Sequence, residues 1–500
     1  MELKELCERV LDLFKCDDTS QLSKKLFETV INNDISKIQD FLSIVNDLSV
    51  DWLQKIFQYY EADRTDKKQD YTPKSICKLA SELTETGGKI VYDVCAGSGA
   101  LTIQKWNRNP NKTFICEELD SKVIPFLLFN MALRNMNGYV ISRNVLTLEL
   151  SKCYQIVSGE RFSTVKEVKE VPEIQADEII SNPPYNIKWN APEPMFADER
   201  FKGKPIPPTS NANYAFIFTA LSRMKNNGKC AFILPCGALS SDIERKCRQW
   251  LIDNGYIEKV IALPDKMFES TSIPTCVVLI SCNNKRIEMF DCRRKAIQEQ
   301  REQNGQFGGA SHEKRTYYKT VNILSDELIN VLCSKCQDVS EFSVPVQQND
   351  IQDSILTVSR YIKFETQEVK HRNLQEIADN INYITKMQNS CKLVVNETIA
   401  KSLGLDIEQF KESKQQSIET SKQMKALGLD FVSEDYITFT KAKNEFVFKC
   451  NDKDIFPEIL RQFFAVWKNQ IAVLNTMQNQ YLTELRDALL PDLISGKIKL

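Results

Sequence analysis

Between about Tyr71 and Leu324, short apolar runs alternate with helix-like stretches, and no other feature of the sequence narrows the fold as much. The runs are Lys89 to Val94, Thr113 to Glu117, Glu178 to Ser181, Lys229 to Pro235, Ile257 to Leu263 and Thr275 to Ser281. They are short, apolar and bounded by turn residues, as buried strands are. Strands separated by helices are joined by crossovers, so they lie parallel in one sheet with helices on both faces. A sheet of this kind takes its ligands at the carboxyl ends of its strands. The expected fold is therefore α/β and Rossmann-like, with a mostly parallel sheet and with helical regions at either end of the chain.

At 500 residues the chain exceeds one ordinary domain. Residues 1–63 read as a helical domain, with Leu6, Val10, Leu11 and Leu13, and later Trp52, Ile56, Phe57 and Tyr60, at helical spacing. The polar run Glu61 to Gln69 reads as a linker into the α/β region, residues 64–343. Within that region Gln298 to Ser311 is polar and is expected as a mobile insertion or edge loop. Residues 344–454 form a mixed, mostly helical region with strands expected over Tyr436 to Thr440 and Glu445 to Lys449. Residues 455–500 end in a helix striped by Ile471, Leu474, Met477, Tyr481, Leu485 and Leu489 before Pro491. The stripe fits a face packed on its own domain, and it equally fits a helix that docks a second subunit or another copy.

Composition removes several function classes. No apolar stretch approaches the length of a membrane span, and the charged start Met1-Glu2-Leu3-Lys4 is no export leader, so a cytoplasmic protein is expected. The 16 cysteines are scattered and read as thiols. Cys333 and Cys336 form one C-x-x-C, but no second pair follows at zinc spacing and the chain has only 2 histidines, so no metal site is expected. The net charge of −2 argues against strong solitary binding to DNA phosphates. Lys285, Arg286, Arg293, Arg294 and Lys295, and also Lys314, Arg315 and Lys319, are basic clusters that fit solvated loop faces.

The chemistry is concentrated in two places. In the first, Val91 to Ala100, a strand runs through Asp93, Val94, Cys95 and Ala96 into Gly97-Ser98-Gly99-Ala100 and then a helix. Glycine allows a ligand to approach backbone closely. The next strand ends at Glu117-Glu118, where an acid can accept hydrogen bonds from ribose hydroxyls. The loop has neither the Gly-Lys-Ser/Thr of a phosphate cradle nor the third glycine of a dinucleotide fingerprint. A cofactor with a nucleoside but no phosphate fits, and S-adenosylmethionine is one. The second place is Glu178 to Tyr185, a strand stopped by Asn182-Pro183-Pro184-Tyr185. The prolines fix the backbone and donate no hydrogen bonds, leaving carbonyl oxygens outward. The Asn182 side-chain oxygen and the Pro183 carbonyl can accept both hydrogens of a planar amine, stabilising the positive charge that develops when it is alkylated. Tyr185 would stack on the ring that carries the amine.

These motifs resemble, in order from about Asp51 to Ile362, the modification subunits of type I restriction-modification systems and related adenine-specific DNA methylases. Asp70-Tyr71-Thr72-Pro73-Lys74 is similar to the family's Phe/Tyr-Thr-Pro segment, which lies at the cofactor's methionine end. Asp198 to Phe201, Asn213 to Phe216 and Phe268 to Thr275 also resemble family segments. The resemblance implies a Rossmann-like methyltransferase domain, S-adenosylmethionine as cofactor and transfer to a flipped adenine in double-stranded DNA. It assigns catalysis to Asn182, Pro183, Pro184 and Tyr185. Cofactor contacts fall on Tyr71, Thr72, Pro73, Asp93, Cys95, Ala96, Gly97, Ser98, Gly99, Ala100, Glu118 and Asn144. Two positions depart from the family: Val94 stands where a proline is usual, and Asn144 where an aspartate faces the cofactor's adenine. Leu485 to Ile498 resembles the end of a type I specificity subunit and implies such a subunit as partner. Methyltransferases of protein glutamine or ribosomal RNA guanine share Asn-Pro-Pro-Tyr but lack the Tyr-Thr-Pro segment and the long C-terminal extension. A cytosine carbon-5 enzyme would need a cysteine at the catalytic strand, whereas Pro235-Cys236 follows the next one. A scaffold that only binds a specificity partner would have no need of the acceptors at Asn182 to Tyr185.

Overall fold

A computed structural model describes residues 3–61, 72–190, 198–268, 273–304, 316–336, 339–362, 372–402, 437–442, 445–450, 453–455 and 472–489. By its own contacts the chain divides into Met1–Glu365 and Thr366–Leu500. Tyr71 and residues 490–500 lie outside the described residues.

The first unit opens with helices α1 (Leu3–Phe14), α2 (Thr19–Ile31), α3 (Ile35–Ile44), α4 (Trp52–Glu61) and α5 (Lys74–Leu83). The α/β region comes next: β1 (Ile90–Asp93), α6 (Ala100–Arg108), β2 (Thr113–Glu118), α7 (Ile124–Leu133), β3 (Asn137–Arg143), β4 (Leu150–Val157), β5 (Thr164–Val168) and β6 (Ala176–Ser181). It continues with α8 (Asn213–Leu221), β7 (Met224–Pro235), α9 (Arg245–Asp253), β8 (Ile257–Ala262), β9 (Thr275–Ile280) and β10 (Arg286–Asp291). A ribbon, β11 (Ile297–Asn304) and β12 (Thr316–Ile323), precedes α10 (Asp326–Cys333) and β13 (Ser343–Gln347).

The eleven-stranded sheet has the order β13-β10-β8-β9-β7-β6-β1-β2-β3-β4-β5. Strands β4, β9 and β13 run against the other eight, and the centre from β7 to β3 is wholly parallel. Alternation along each strand sends neighbours to opposite faces. Val91, Phe114, Val140, Ile180 and Ile233 join one core with α1 to α7, while Tyr92, Ile115, Ile141, Ile179 and Phe232 join the other with α8 and α9. The helical segment 1–63 thus shares a core with the sheet. Phe129 of α7 meets the rings of Phe14 and Phe41 edge-on at 5.9 and 5.2 Å.

All six strands expected between Tyr71 and Leu324 are present. Gln298 to Asn304, expected within a loop, is instead β11, paired residue for residue with β12. Its polarity had hidden it: a two-stranded ribbon need have no apolar face, so period-two burial leaves no trace. Residues 305–311 of the same expectation lie outside the described residues. Among the described residues no helix is long and apolar enough to cross a membrane.

The second unit contains α11 (Leu374–Ser402), the strands β14 (Ile437–Ala442), β15 (Glu445–Cys450) and β16 (Lys453–Ile455), and a helix over residues 472–489. Arg372 pairs with Glu484, and Gln388 donates to Asn475 and Gln478, so α11 and the 472–489 helix lie antiparallel. Ile377, Ile384 and Leu474 are the buried members of this pair.

Candidate active site

The carboxyl ends of β1, β2, β3 and β6 surround a cavity of about 840 Å³, a size suited to a nucleoside cofactor. Thr72, Cys95, Ala96, Gly97, Ser98, Ala100, Glu118, Asn144, Asn182, Pro183, Pro184 and Tyr185 all line it. The central parallel strands bring them together, since β6 and β2 are the two hydrogen-bonded neighbours of β1.

Gly97 has a φ of +55°, and a Cβ built there would meet nothing within 4 Å. The loop is thereby open to a ligand at close range. The Gly97 N–H donates to Glu118 Oε2 at 2.8 Å, and the Asp120 N–H donates to Glu118 Oε1 at 2.7 Å. Burial pushes the Glu118 carboxyl up, and these two N–H groups act to hold it down. A loop N–H already spent on a carboxylate, with that acid's charge beside it, is hostile to phosphate and compatible with a ribose. The donor set therefore fits S-adenosylmethionine better than a nucleotide.

Other expected contacts stand behind the wall. Pro73 is the N-cap of α5, and Gly99, at φ +100°, is the N-cap of α6. Asp93 is fully buried beneath the loop, accepts a hydrogen bond from Thr102 Oγ1 at 2.8 Å, and has its carboxyl raised to about 7 by burial. Asn144 is on the wall, but its Oδ1 accepts from the N–H groups of Leu146 and Thr147 at 2.9 and 3.4 Å. That oxygen is committed to a turn, so the group Asn144 retains for a ligand is its NH₂. A ring nitrogen is then a better partner for it than the exocyclic amine of the cofactor's adenine.

At the end of β6, Asn182 Nδ2 donates to Thr72 Oγ1 at 2.9 Å, and the Tyr185 hydroxyl donates to Asn182 Oδ1 at 2.8 Å. Thr72, expected only as a cofactor contact, also orients the amide. Tyr185 is buried and holds the oxygen expected to receive the amine; an amide oxygen has two lone pairs and can accept a second hydrogen bond. Asn186 follows in a left-handed conformation with φ +52°, which the Asn211 Nδ2 to Asn186 Oδ1 bond of 3.0 Å supports. Asn213 Nδ2 reaches Glu244 Oε1 at 3.2 Å, and burial raises the Glu244 carboxyl to about 7.

Sequence reasoning passed over two groups. Glu117, the neighbour of Glu118, faces the opposite side of β2, where Arg143 and Arg223 donate to it, the latter at 2.9 Å. The doubled acid at a strand end was the available signal. Lys188 and Trp189 also reach the cavity wall, and nothing in their spacing marked them; Phe216, on the wall too, lies in the segment Asn213 to Phe216 that the resemblance had picked out. Cys236 does not line the cavity; its N–H donates to the Pro274 carbonyl. Within the basic cluster, Arg293 pairs with Asp291 and Lys295 with Glu341.

An antiparallel strand inserted between β7 and β8, a glycine loop after β1 and an Asn-Pro-Pro-Tyr corner after β6 define a Rossmann-like methyltransferase. The N-6 DNA Methylase family matches residues 46–372, and the chain belongs to that family. It is 25% identical over 385 residues to the type I restriction enzyme HindI methylase subunit of Haemophilus influenzae, covering 72% of this chain and 76% of that protein. It is 24% identical over 401 residues to the MpnII methylase subunit of Mycoplasma pneumoniae, covering 75% and 68%. The fold is similar to the crystal structure of a type I restriction-modification methyltransferase subunit from Streptococcus thermophilus, with a TM-score of 0.51 at 23% identity, covering 72% of this chain and 80% of that one.

Proposed function

We propose that the chain methylates the exocyclic amine of adenine in double-stranded DNA, as the modification subunit of a restriction-modification system. The observation that carries this reading is the Asn182 amide at the cavity wall, its nitrogen donating to Thr72 Oγ1 and its oxygen accepting from the Tyr185 hydroxyl. S-adenosylmethionine, when bound, supplies an electrophilic methyl group on a sulfonium. Gly97 and Ser98 would face it, Glu118 would accept from its ribose hydroxyls and Asn144 would donate to its adenine. Asn182 Oδ1 and the Pro183 carbonyl accept the hydrogens of the substrate amine and stabilise positive charge on its nitrogen. Tyr185 must release Asn182 Oδ1 or share it as the base arrives, and its ring then lies against that base. The amine is paired inside a duplex, so the base has to leave the stack.

The relatives named as type I methylase subunits support a specificity subunit as partner. Tyr383, Met387, Val473, Met477 and Leu482 stay exposed on the antiparallel helix pair of the second unit, and such an apolar surface suits a docking helix.

Asn182→Ala is expected to lower methyl transfer by at least about a thousandfold, the scale of losing one preoriented acceptor together with its geometry. S-adenosylmethionine binding, followed by calorimetry, should stay within about threefold, because that side chain faces the amine and not the ribose. Transfer retained in this variant, read by sequencing that detects methylated adenine in DNA from cells with and without the chain, would refute the assignment.

A further inference from the structure

We infer that Asp51, outside the methyltransferase sheet, positions the cofactor loop through Ser98, so that affinity for S-adenosylmethionine is set in part by the N-terminal helical segment. This rests on the proposed cofactor. Asp51 lies just before α4, and its two oxygens have separate tasks. Oδ1 accepts the Gln54 N–H at 2.9 Å, which caps α4, and also accepts Asn130 Nδ2 at 2.9 Å. Oδ2 accepts the Ser98 hydroxyl at 2.6 Å, 47 residues away. A helix cap needs only the first oxygen. The second is committed to the loop.

Ser98 is held at its carbonyl as well as its hydroxyl, since Asn130 Nδ2 donates to the Ser98 carbonyl at 2.9 Å. Arg134 closes the ring: it donates to Asn130 Oδ1 at 2.8 Å and to the carbonyls of Leu48 and Val50 at 2.8 and 2.9 Å. Asp51, Ser98, Asn130 and Arg134 are all buried, yet Ser98 lines the cofactor cavity. Burying a carboxylate is unfavourable unless donors surround it. Here three donors and a nearby guanidinium do so, which fixes the loop backbone at the wall before any ligand arrives. A loop that is already ordered saves the cofactor the entropy of ordering it.

The same short segment touches the opposite wall. Lys74, directly after Thr72-Pro73, donates to Ser49 Oγ at 2.7 Å, and Gln104 of α6 donates to the Ser49 carbonyl. Residues 47–51 therefore act as a strap between the glycine loop and the segment whose Thr72 holds Asn182.

The test uses the full chain. In Asp51→Asn the donors Gln54 N–H and Asn130 Nδ2 keep the amide oxygen at the Oδ1 position, which turns the NH₂ toward Ser98. Calorimetric titration with S-adenosylmethionine should then give a Kd weakened roughly tenfold, the size of one charge-assisted hydrogen bond. Steady-state assays should show KM for the cofactor raised by a similar factor, with kcat at saturation within about twofold. Binding coupled through the strap is reciprocal, so in the wild type S-adenosylmethionine should slow amide exchange over residues 47–54. That measurement stands even where Asp51→Asn does not fold. Unchanged Kd and KM in a folded variant, or exchange over 47–54 indifferent to cofactor, would overturn the inference while leaving the function intact. A wild-type chain that binds no S-adenosylmethionine would instead remove the cofactor reading itself.

Discussion

What Asn182 offers a substrate is decided by a threonine 110 residues earlier in the chain, because Thr72 Oγ1 takes its amide nitrogen. Thr72→Val keeps the shape and removes the acceptor, so the amide loses one of the hydrogen bonds that orient it. Methyl transfer is expected to fall roughly 10- to 100-fold, as misplacement of a reacting group by a fraction of an ångström does. Single-turnover assays at saturating DNA and cofactor separate this loss from any change in cofactor binding at the cavity wall that Thr72 lines. Asp93 makes a second prediction. Its folded-state carboxyl sits at about 7, above the ordinary value of ~3.9. The native state therefore keeps a proton that the unfolded chain loses, and the stability this brings is complete below about pH 4 and is lost as pH rises through about 7. Asp93→Asn removes that titration, so its melting temperature relative to wild type should rise from pH 5 to pH 8; a constant difference would contradict a protonated Asp93. That the Asn182 to Tyr185 corner, the glycine loop and Glu118 gather at one cavity was legible in the sequence because each is a local pattern with its own chemistry. The Thr72 to Asn182 bond and the Asp51 strap were not, because a hydrogen bond between distant positions leaves no periodicity. Asn144 shows the converse: its residue type was plain, but the turn that consumes its oxygen was not.

At the scale of elements, the central strands were legible because burial on both faces makes them continuously apolar. β3 was missed, and Gly138 explains why. It follows Asn137 and leaves an apolar run of only Tyr139 to Ile141, and it is required: its φ is +150°, and a Cβ there would lie 1.7 Å from the Phe114 carbonyl oxygen. β2 and β3 pair at Phe114 and Gly138, so Gly138→Ala must push apart the strands that lead to Glu118 and Asn144, the proposed ribose and adenine contacts. A loss of ~3–5 kcal/mol is expected, the upper range for single substitutions, measured as a lower urea midpoint with an unchanged slope. β4, β5 and β13 lie toward the sheet's edges, where exposed polar positions interrupt the pattern that sequence reading depends on. The amino end of the sheet is fixed differently. Glu178 is fully buried at the start of β6 and accepts from Lys105 at 2.7 Å, Lys112 at 2.6 Å and the Thr86 N–H at 2.9 Å. Charged residues in a strand read as surface, yet this set ties α6, β1 and β6 together through a buried network that hydropathy cannot reveal.

For the whole molecule, the sequence suggested a helical start, an α/β middle and a helical end. The start is joined to the middle by one core, as Phe14, Phe41 and Phe129 demonstrate. The chain's own contacts set Thr366–Leu500 apart as a second unit. Within it the 472–489 helix meets α11 through Gln478 to Thr385, Gln388 to Gln478 and Arg372 to Glu484, so its seam carries polar residues as well as Leu474. Polar residues in a helical seam specify register at a cost in stability, and the pair is consequently poised to gain from additional apolar burial by a partner. Removing Thr483 to Leu500 deletes Glu484 and the last turns of the helix while leaving the sheet, its cavity and the strap untouched. The shortened chain is expected to bind S-adenosylmethionine within about twofold of the full chain, since among the described residues none that lines the cavity lies beyond Phe216. Coexpressed with the proposed specificity subunit, it should fail to assemble, and native mass spectrometry should record it alone. A complex of full stoichiometry formed by the shortened chain would move the docking surface away from this helix pair.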